Sequence, residues 1–232
     1  MSGKSNRVLA LGIPKLDEGF QGFQGGDFVV LAGRHLCTLL LFLLSVRCQL
    51  PFRKGGLNSR AVFIDGGNTF DPYAVSVIAQ DSGLKPRSTL EKILISRAFT
   101  AYQLAELIFE KLENFLKMYR SKLVVVSDII GLFLDRDVPE IEGRNIFLEM
   151  IHHLLEVASR RRAVVVASYL TRPYSSRSFF LESILFGRAG AVMRFKESTR
   201  DLRFTLEEHQ NIKSFSIDVL SNAVTMDMFM ED

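Results

Sequence analysis

Five short runs rich in valine and isoleucine recur at wide spacing: Phe28–Ala32, Ala61–Asp65, Lys92–Ser96, Leu123–Ser127 and Ala163–Ser168. Each is apolar nearly throughout, as a strand is when helices cover both faces of a parallel sheet. Helical patterns fill the intervals. Leu36–Cys48 is apolar almost all round. Tyr102–Met118 sets Leu104, Ile108, Leu112 and Leu116 at helical spacing, and Asn145–Ser159 does the same with Phe147, Met150, Ile151 and Leu154. Alternating strands and helices predict an α/β fold: a mostly parallel central sheet flanked by helices. After Ala189, the segments Ala191–Lys196, Asp201–Leu206 and Ser214–Val219 read as short strands joined by polar turns, an antiparallel C-terminal extension of the same sheet. With no repeat or long linker, 1–232 is expected to be a single domain.

A hydrophobic content of 47% and a charged content of 24% exclude a disordered or collagen-like chain. No window reaches the roughly 18 apolar residues of a membrane span. The longest apolar run, Leu36–Val46, is about half a span and reads as a buried helix. The polar, basic start Met1–Arg7 has no signal-peptide pattern behind it. An intracellular location with no membrane partner is expected: cytoplasm in a prokaryote, nucleus in a eukaryote. Cys37 and Cys48 would lie about 16 Å apart on one helix, too far to bridge. His152 and His153 are adjacent, so they diverge on a helix, and no ligand pattern completes a metal site.

Ligands of such sheets bind at the carboxyl ends of the strands. The first run ends in Leu31-Ala32-Gly33, and Arg34-His35-Leu36-Cys37-Thr38 leads into the apolar helix. Strand, glycine, loop and helix is the layout of a phosphate-binding loop, G-x-x-x-x-G-K-[ST]. Gly33 stands for the first glycine and Thr38 for the hydroxyl that binds magnesium. Cys37 occupies the lysine position, the second glycine is missing, and the loop is about two residues short. A plain strand–turn–helix fits those residues as well.

Six segments in order carry a resemblance. Gly12-Ile13-Pro14-Lys15-Leu16-Asp17 is similar to G-I-x-x-L-D, and Gly25-Gly26-Asp27 falls at the turn into the first core strand. Val62-Phe63-Ile64-Asp65-Gly66-Gly67-Asn68-Thr69-Phe70 resembles V-Y-I-D-T-E-G-T-F, and Ser96-Arg97-Ala98-Phe99 resembles A-R-A-F. Lys122–Asp128 is similar to the Walker B strand K-L-x-x-V-D-S, and Ala163–Tyr169 to a later strand ending in T-N-Q. Together they resemble the ATPase core of the RecA/RadA recombinase superfamily, in its RadA-like branch, from Leu11 to about Thr225. The resemblance implies a RecA-like P-loop ATPase core.

The departures fall on the chemistry. The family's catalytic glutamate aligns with Gly67, its Walker B aspartate with Ser127, and its Walker lysine with Cys37. Asp128 stands one position late, which in a strand turns a side chain to the other face. The resemblance therefore implies a pseudo-ATPase: no catalytic residue, no cofactor, and ATP binding weak or absent, with Gly33 and Thr38 the remnant nucleotide positions. RadA-type recombinases also carry a helical DNA-binding domain and an F-x-x-A hook ahead of the core. About ten residues precede it here, so a filament of the usual kind is not expected. A bare core resembles the recombinase paralogs, accessory factors for recombination and repair that often act in pairs. Expected partners are single-stranded or other DNA and a recombinase or second paralog, as a homo- or heterodimer.

The net charge of +3 is unevenly spread. Arg160–Arg203 holds ten basic and three acidic residues, so it carries +7 and the remainder −4. Such a skew predicts one face for an anionic partner. Within it, Arg172, Tyr174 and Arg177 fall in a polar segment where the family has its second DNA-binding loop, and a Tyr among arginines suits stacking on single-stranded bases. Arg160–Arg162 would complement a helix C-terminus. Asp65 either holds a nucleotide-associated water or caps a turn, and Phe20 and Phe23 are expected to pack against the core. A working ATPase with an unusual loop and a purely structural subunit are the alternative readings.

Overall fold

A computed structural model describes residues 8–172, 175–197, 201–209 and 214–220. The chain begins with β1 (Val8–Leu9), α1 (Pro14–Gly19), β2 (Phe23–Gln24), β3 (Phe28–Gly33) and α2 (His35–Arg47). It continues through β4 (Ala61–Asp65), α3 (Pro72–Asp81), α4 (Pro86–Leu90) and β5 (Ile93–Arg97). Then come α5 (Ala101–Glu106), a π turn at Leu107–Lys111, α6 (Leu112–Tyr119), β6 (Leu123–Ser127) and α7 (Glu140–Arg161). β7 (Val164–Leu170), α8 (Ser176–Phe186), β8 (Ala191–Glu197), β9 (Asp201–His209) and β10 (Phe215–Leu220) complete it.

One eight-stranded sheet runs β10-β9-β8-β3-β7-β6-β4-β5, while β1 and β2 pair separately. From β8 to β5 all neighbours are parallel. Alternate side chains serve opposite faces. Val29, Leu31, Ala61 and Phe63 join the cluster of α2 and α3, whereas Phe28, Val30, Val62 and Ile64 join that of α5 to α8. Leu36 to Val46 of α2 are all buried, because the helix lies between the sheet and a layer formed by Leu9, Leu11, Ile13, Leu16 and α3. Phe20 and Phe23 are buried in that layer, their rings 4.8 Å apart. Cys37 and Cys48 are buried free thiols. Among the described residues no helix is long and apolar enough to cross a membrane, and no group of three or more potential metal ligands forms.

The fold class and the five core runs match the reading of the sequence, with one correction. Ala191–Glu197 pairs antiparallel with β9 as expected, but on its other side it lies parallel to β3, with Val29 opposite Ala191. The crossover that this requires is α8, which its residues did not announce by periodicity. Only β9 and β10 are antiparallel additions.

Arg47 fastens the entry segment to the last turn of α2. Its Nε donates to the Ala10 carbonyl at 2.9 Å. Asp17 accepts from the N–H groups of Leu11 (2.9 Å) and Gly12 (2.7 Å). Gly12 has φ of +79°, and a Cβ there would meet the Arg47 guanidinium at 2.1 Å, so only glycine permits the contact. Replacing Arg47 by Met keeps the apolar stem and removes the donors to a half-buried carbonyl. Urea unfolding should show a loss of about 1–3 kcal/mol with an unchanged m-value.

Candidate functional site

The carboxyl ends of β3, β4, β6 and β7 form the edge at which the family's chemistry would lie. β3 runs to Gly33 and α2 starts at His35, so Arg34 alone connects them. The expected short loop is thus a one-residue turn. Gly33 remains in the sheet opposite Leu170, and its carbonyl accepts from the Thr171 N–H at 2.8 Å and hydroxyl at 3.1 Å. A Cβ on Gly33 would meet the Phe195 carbonyl oxygen at 2.7 Å and Cys37 Sγ at 2.9 Å, so the space beside this glycine is filled. Cys37 is buried, and Thr38 sits in the first turn of α2 with 8% exposure.

Asp65 ends β4 with no exposure to solvent. Its carboxylate accepts from Thr69 N (2.9 Å), Phe70 N (3.1 Å), Ser127 Oγ (2.7 Å) and Arg97 Nε (3.2 Å). Of the two roles open to Asp65, the geometry assigns turn capping. Burial pushes its pKa up, but the N–H of Thr69, the Ser127 hydroxyl, the N–H of Phe70 and the Arg97 charge outweigh it, leaving the pKa below its ordinary value. Ser127 in turn accepts from the Gly67 N–H at 3.2 Å. The two positions that align with the Walker B aspartate and the catalytic glutamate are therefore joined to each other in a neutral structural contact.

Asp128 lies just past β6, at φ of +45°. Its carboxylate is buried and forms a two-point pair with Arg172, with Nη1 on Oδ1 at 2.9 Å and Nη2 on Oδ2. The question of which strand face it occupies gives way to this pairing. Arg172 lies in the loop after β7, as expected, and is exposed, but its guanidinium is engaged with Asp128 at the sheet edge. Arg177, by contrast, is not in the loop: Ser175 caps α8 through a reciprocal pair with Ser178, so Arg177 belongs to the first helical turn, where it donates to the Val138 carbonyl at 2.8 Å. Tyr174 lies outside the described residues.

Among the described residues the +7 stretch does not form one face. Arg160 and Arg161 end α7 at the amino edge of the sheet and both pair with Glu113. Arg188, also at that edge, donates to His152 Nε2 at 3.0 Å. Arg172 and Arg177 are at the opposite edge, and Arg194 pairs with Glu207 at 2.6 Å. The neutralising carboxylates Glu113, Asp128 and Glu207 all come from outside the stretch, which is why its internal balance misled.

Two measurements test these networks. Asp65 has a depressed pKa in the folded state, so its contribution is present above the unfolded carboxylate range and lost as pH falls through the folded value. Asp65→Asn should cost roughly 1.5–3 kcal/mol near neutrality and flatten the parent's loss of stability below about pH 4 in urea titrations. For the second pair, Arg172→Ala strands a buried carboxylate. A double-mutant cycle with Asp128→Ala should yield a coupling energy of about 1–3 kcal/mol by thermal denaturation, and additive effects would deny the pair.

A family model described as Rad51 matches residues 14–179, from α1 into the first turn of α8. The match covers every parallel strand but β8 and contains the whole carboxyl edge just described. With the RecA-like sheet, it assigns a role connected with recombination or repair, and the chain belongs to the Rad51 family within the RecA/RadA/Rad51 recombinase superfamily.

Proposed function

We propose that this chain is a non-hydrolysing member of its family, an accessory factor in recombination or repair that works through contacts with DNA, a recombinase partner, or both. The observation that carries the reading is the one-residue turn at Arg34. A phosphate cradle requires successive backbone N–H groups facing the ligand and a lysine charge. Here the turn is closed, the space at Gly33 is filled, and the lysine position is a buried thiol. These residues do not fit a nucleoside triphosphate with its magnesium ion. Loss of the charge-assisted bond alone removes roughly 1.5–3 kcal/mol of affinity. Loss of a general base typically lowers a rate by a further 10²–10⁴-fold. Ser127 and Gly67, bound to one another, supply neither metal ligand nor base.

Steady-state phosphate release, with and without single-stranded DNA, should not exceed the buffer control. Turnover that Thr38→Ala abolishes would overturn this reading in favour of an ATPase with an unusual phosphate site.

A further inference from the structure

At the edge of the sheet opposite the nucleotide position, three adjacent strands begin with a cation. Ala61 of β4 pairs in register with Leu123 of β6 and Ile93 of β5. The residues immediately before them are Arg60, Lys122 and Lys92. Neighbouring strands lie about 4.8 Å apart, so the row spans about 10 Å. Arg120, the left-handed cap of α6 at φ of +51°, adds a fourth cation beside Arg60. Lys122 is engaged with the Arg161 carbonyl at 2.9 Å. Arg60, Lys92 and Arg120 are exposed, and among the described residues none of them has a carboxylate partner.

These three line a cavity of about 470 Å³, whose eight lining residues include no acid. That volume lies within the range of small-ligand sites. Met118, 72% exposed, and the half-buried Tyr119 form its apolar part, with the Arg60 guanidinium 5.8 Å from the Tyr119 ring centre. The loops are held rigidly. Ser121 Oγ donates to the Arg60 carbonyl at 2.8 Å, the Lys122 N–H to Ser59 Oγ at 2.8 Å, and the Ala61 N–H to the Lys92 carbonyl at 3.1 Å. Cations carried on hydrogen-bonded loops next to an aromatic ring suit a strand of phosphates whose bases can stack. An acidic peptide would use the charges and leave Tyr119 and Met118 without a role.

We propose that Arg60, Lys92 and Arg120 bind the phosphates of single-stranded nucleic acid at the amino edge of the sheet, with Tyr119 and Met118 contacting a base. The inference rests on the DNA-contact part of the proposed function and supplies its site. It is tested by anisotropy titration of a fluorescein-labelled oligo-dT probe with the full chain over a series of salt concentrations. The triple variant Arg60→Gln, Lys92→Gln, Arg120→Gln should lose roughly tenfold or more in affinity, with a salt slope shallower by about 2. Tyr119→Leu should weaken binding roughly five- to hundredfold at an unchanged slope. Arg60→Lys with Arg120→Lys, which keeps the charges, should keep the slope, and circular dichroism melts report whether each variant folds. If the parent binds oligo-dT and the folded triple variant matches it, this site is overturned and DNA contact elsewhere stands. If the parent does not bind oligo-dT, the DNA part of the functional reading falls with it. If polyglutamate displaces the probe at equal charge concentration, the row is a generic acidic-protein surface and the proposal fails.

Discussion

A carboxylate with no exposure to water governs the carboxyl edge. Burying Asp65 is tolerable only because every approach to it is a donor: two backbone N–H groups of its own turn, the Ser127 hydroxyl and Arg97. The contacts join the ends of β4, β5 and β6. They also fix the chemistry of their donors. Ser127 cannot serve a metal while it bonds Asp65, and Gly67 is held against Ser127 by its own N–H. Beside them Asp128, which would otherwise be the nearest acidic group on offer, is neutralised by Arg172. Both carboxylates of this edge, Asp65 and Asp128, thus find their partners within the chain.

The central strands were legible because burial on both faces writes an uninterrupted apolar run, as in Leu123–Ser127, whose bounds agree at both ends. Helix α2 was legible for the same reason. Helices α3 and α8 were not, since their signals are local and lie at their starts. Asp71 caps α3 through the Tyr73 N–H at 2.8 Å with Pro72 behind it, and Ser175 and Ser178 open α8. Missing α8 had a topological consequence: without a crossover helix, β8 reads as a hairpin strand and its parallel pairing to β3 is invisible. The π turn at Leu107–Lys111 interrupts a segment whose apolar spacing reads as one continuous helix.

The site residues were legible as identities and not as geometry. Cys37 and Gly67 are read straight from the sequence as the residues that align with the family's lysine and glutamate. What the residues do not announce is partnership. Arg172 reads as a loop cation until the fold brings Asp128 to it from 44 positions away. Arg160 and Arg161 read as part of a basic face until Glu113 arrives from another helix. Conversely, Arg60, Lys92 and Arg120 are separated by about thirty residues each, so no window of sequence gathers them. Strand register does.

The amino edge of a parallel sheet receives the C-termini of its helices, and cations complement their dipoles there. Arg120 directly follows α6, and Lys92 stands two residues past α4. Each helix end carries at most about half a negative charge, and the effect fades within the last turn. Two such ends at the cavity therefore offset about one of three positive charges. Arg60 is not adjacent to any helix end; it enters β4 from an extended connection. Dipole complementarity thus explains why Arg120 is tolerated as a cap and leaves a net positive cavity beside Tyr119. At the opposite edge each arginine in the predicted loop is already committed to a carboxylate or a carbonyl. Three cations without a carboxylate partner among the described residues, set beside Tyr119, are what place the proposed anion site at the amino edge, the reverse of the usual polarity of a parallel α/β site.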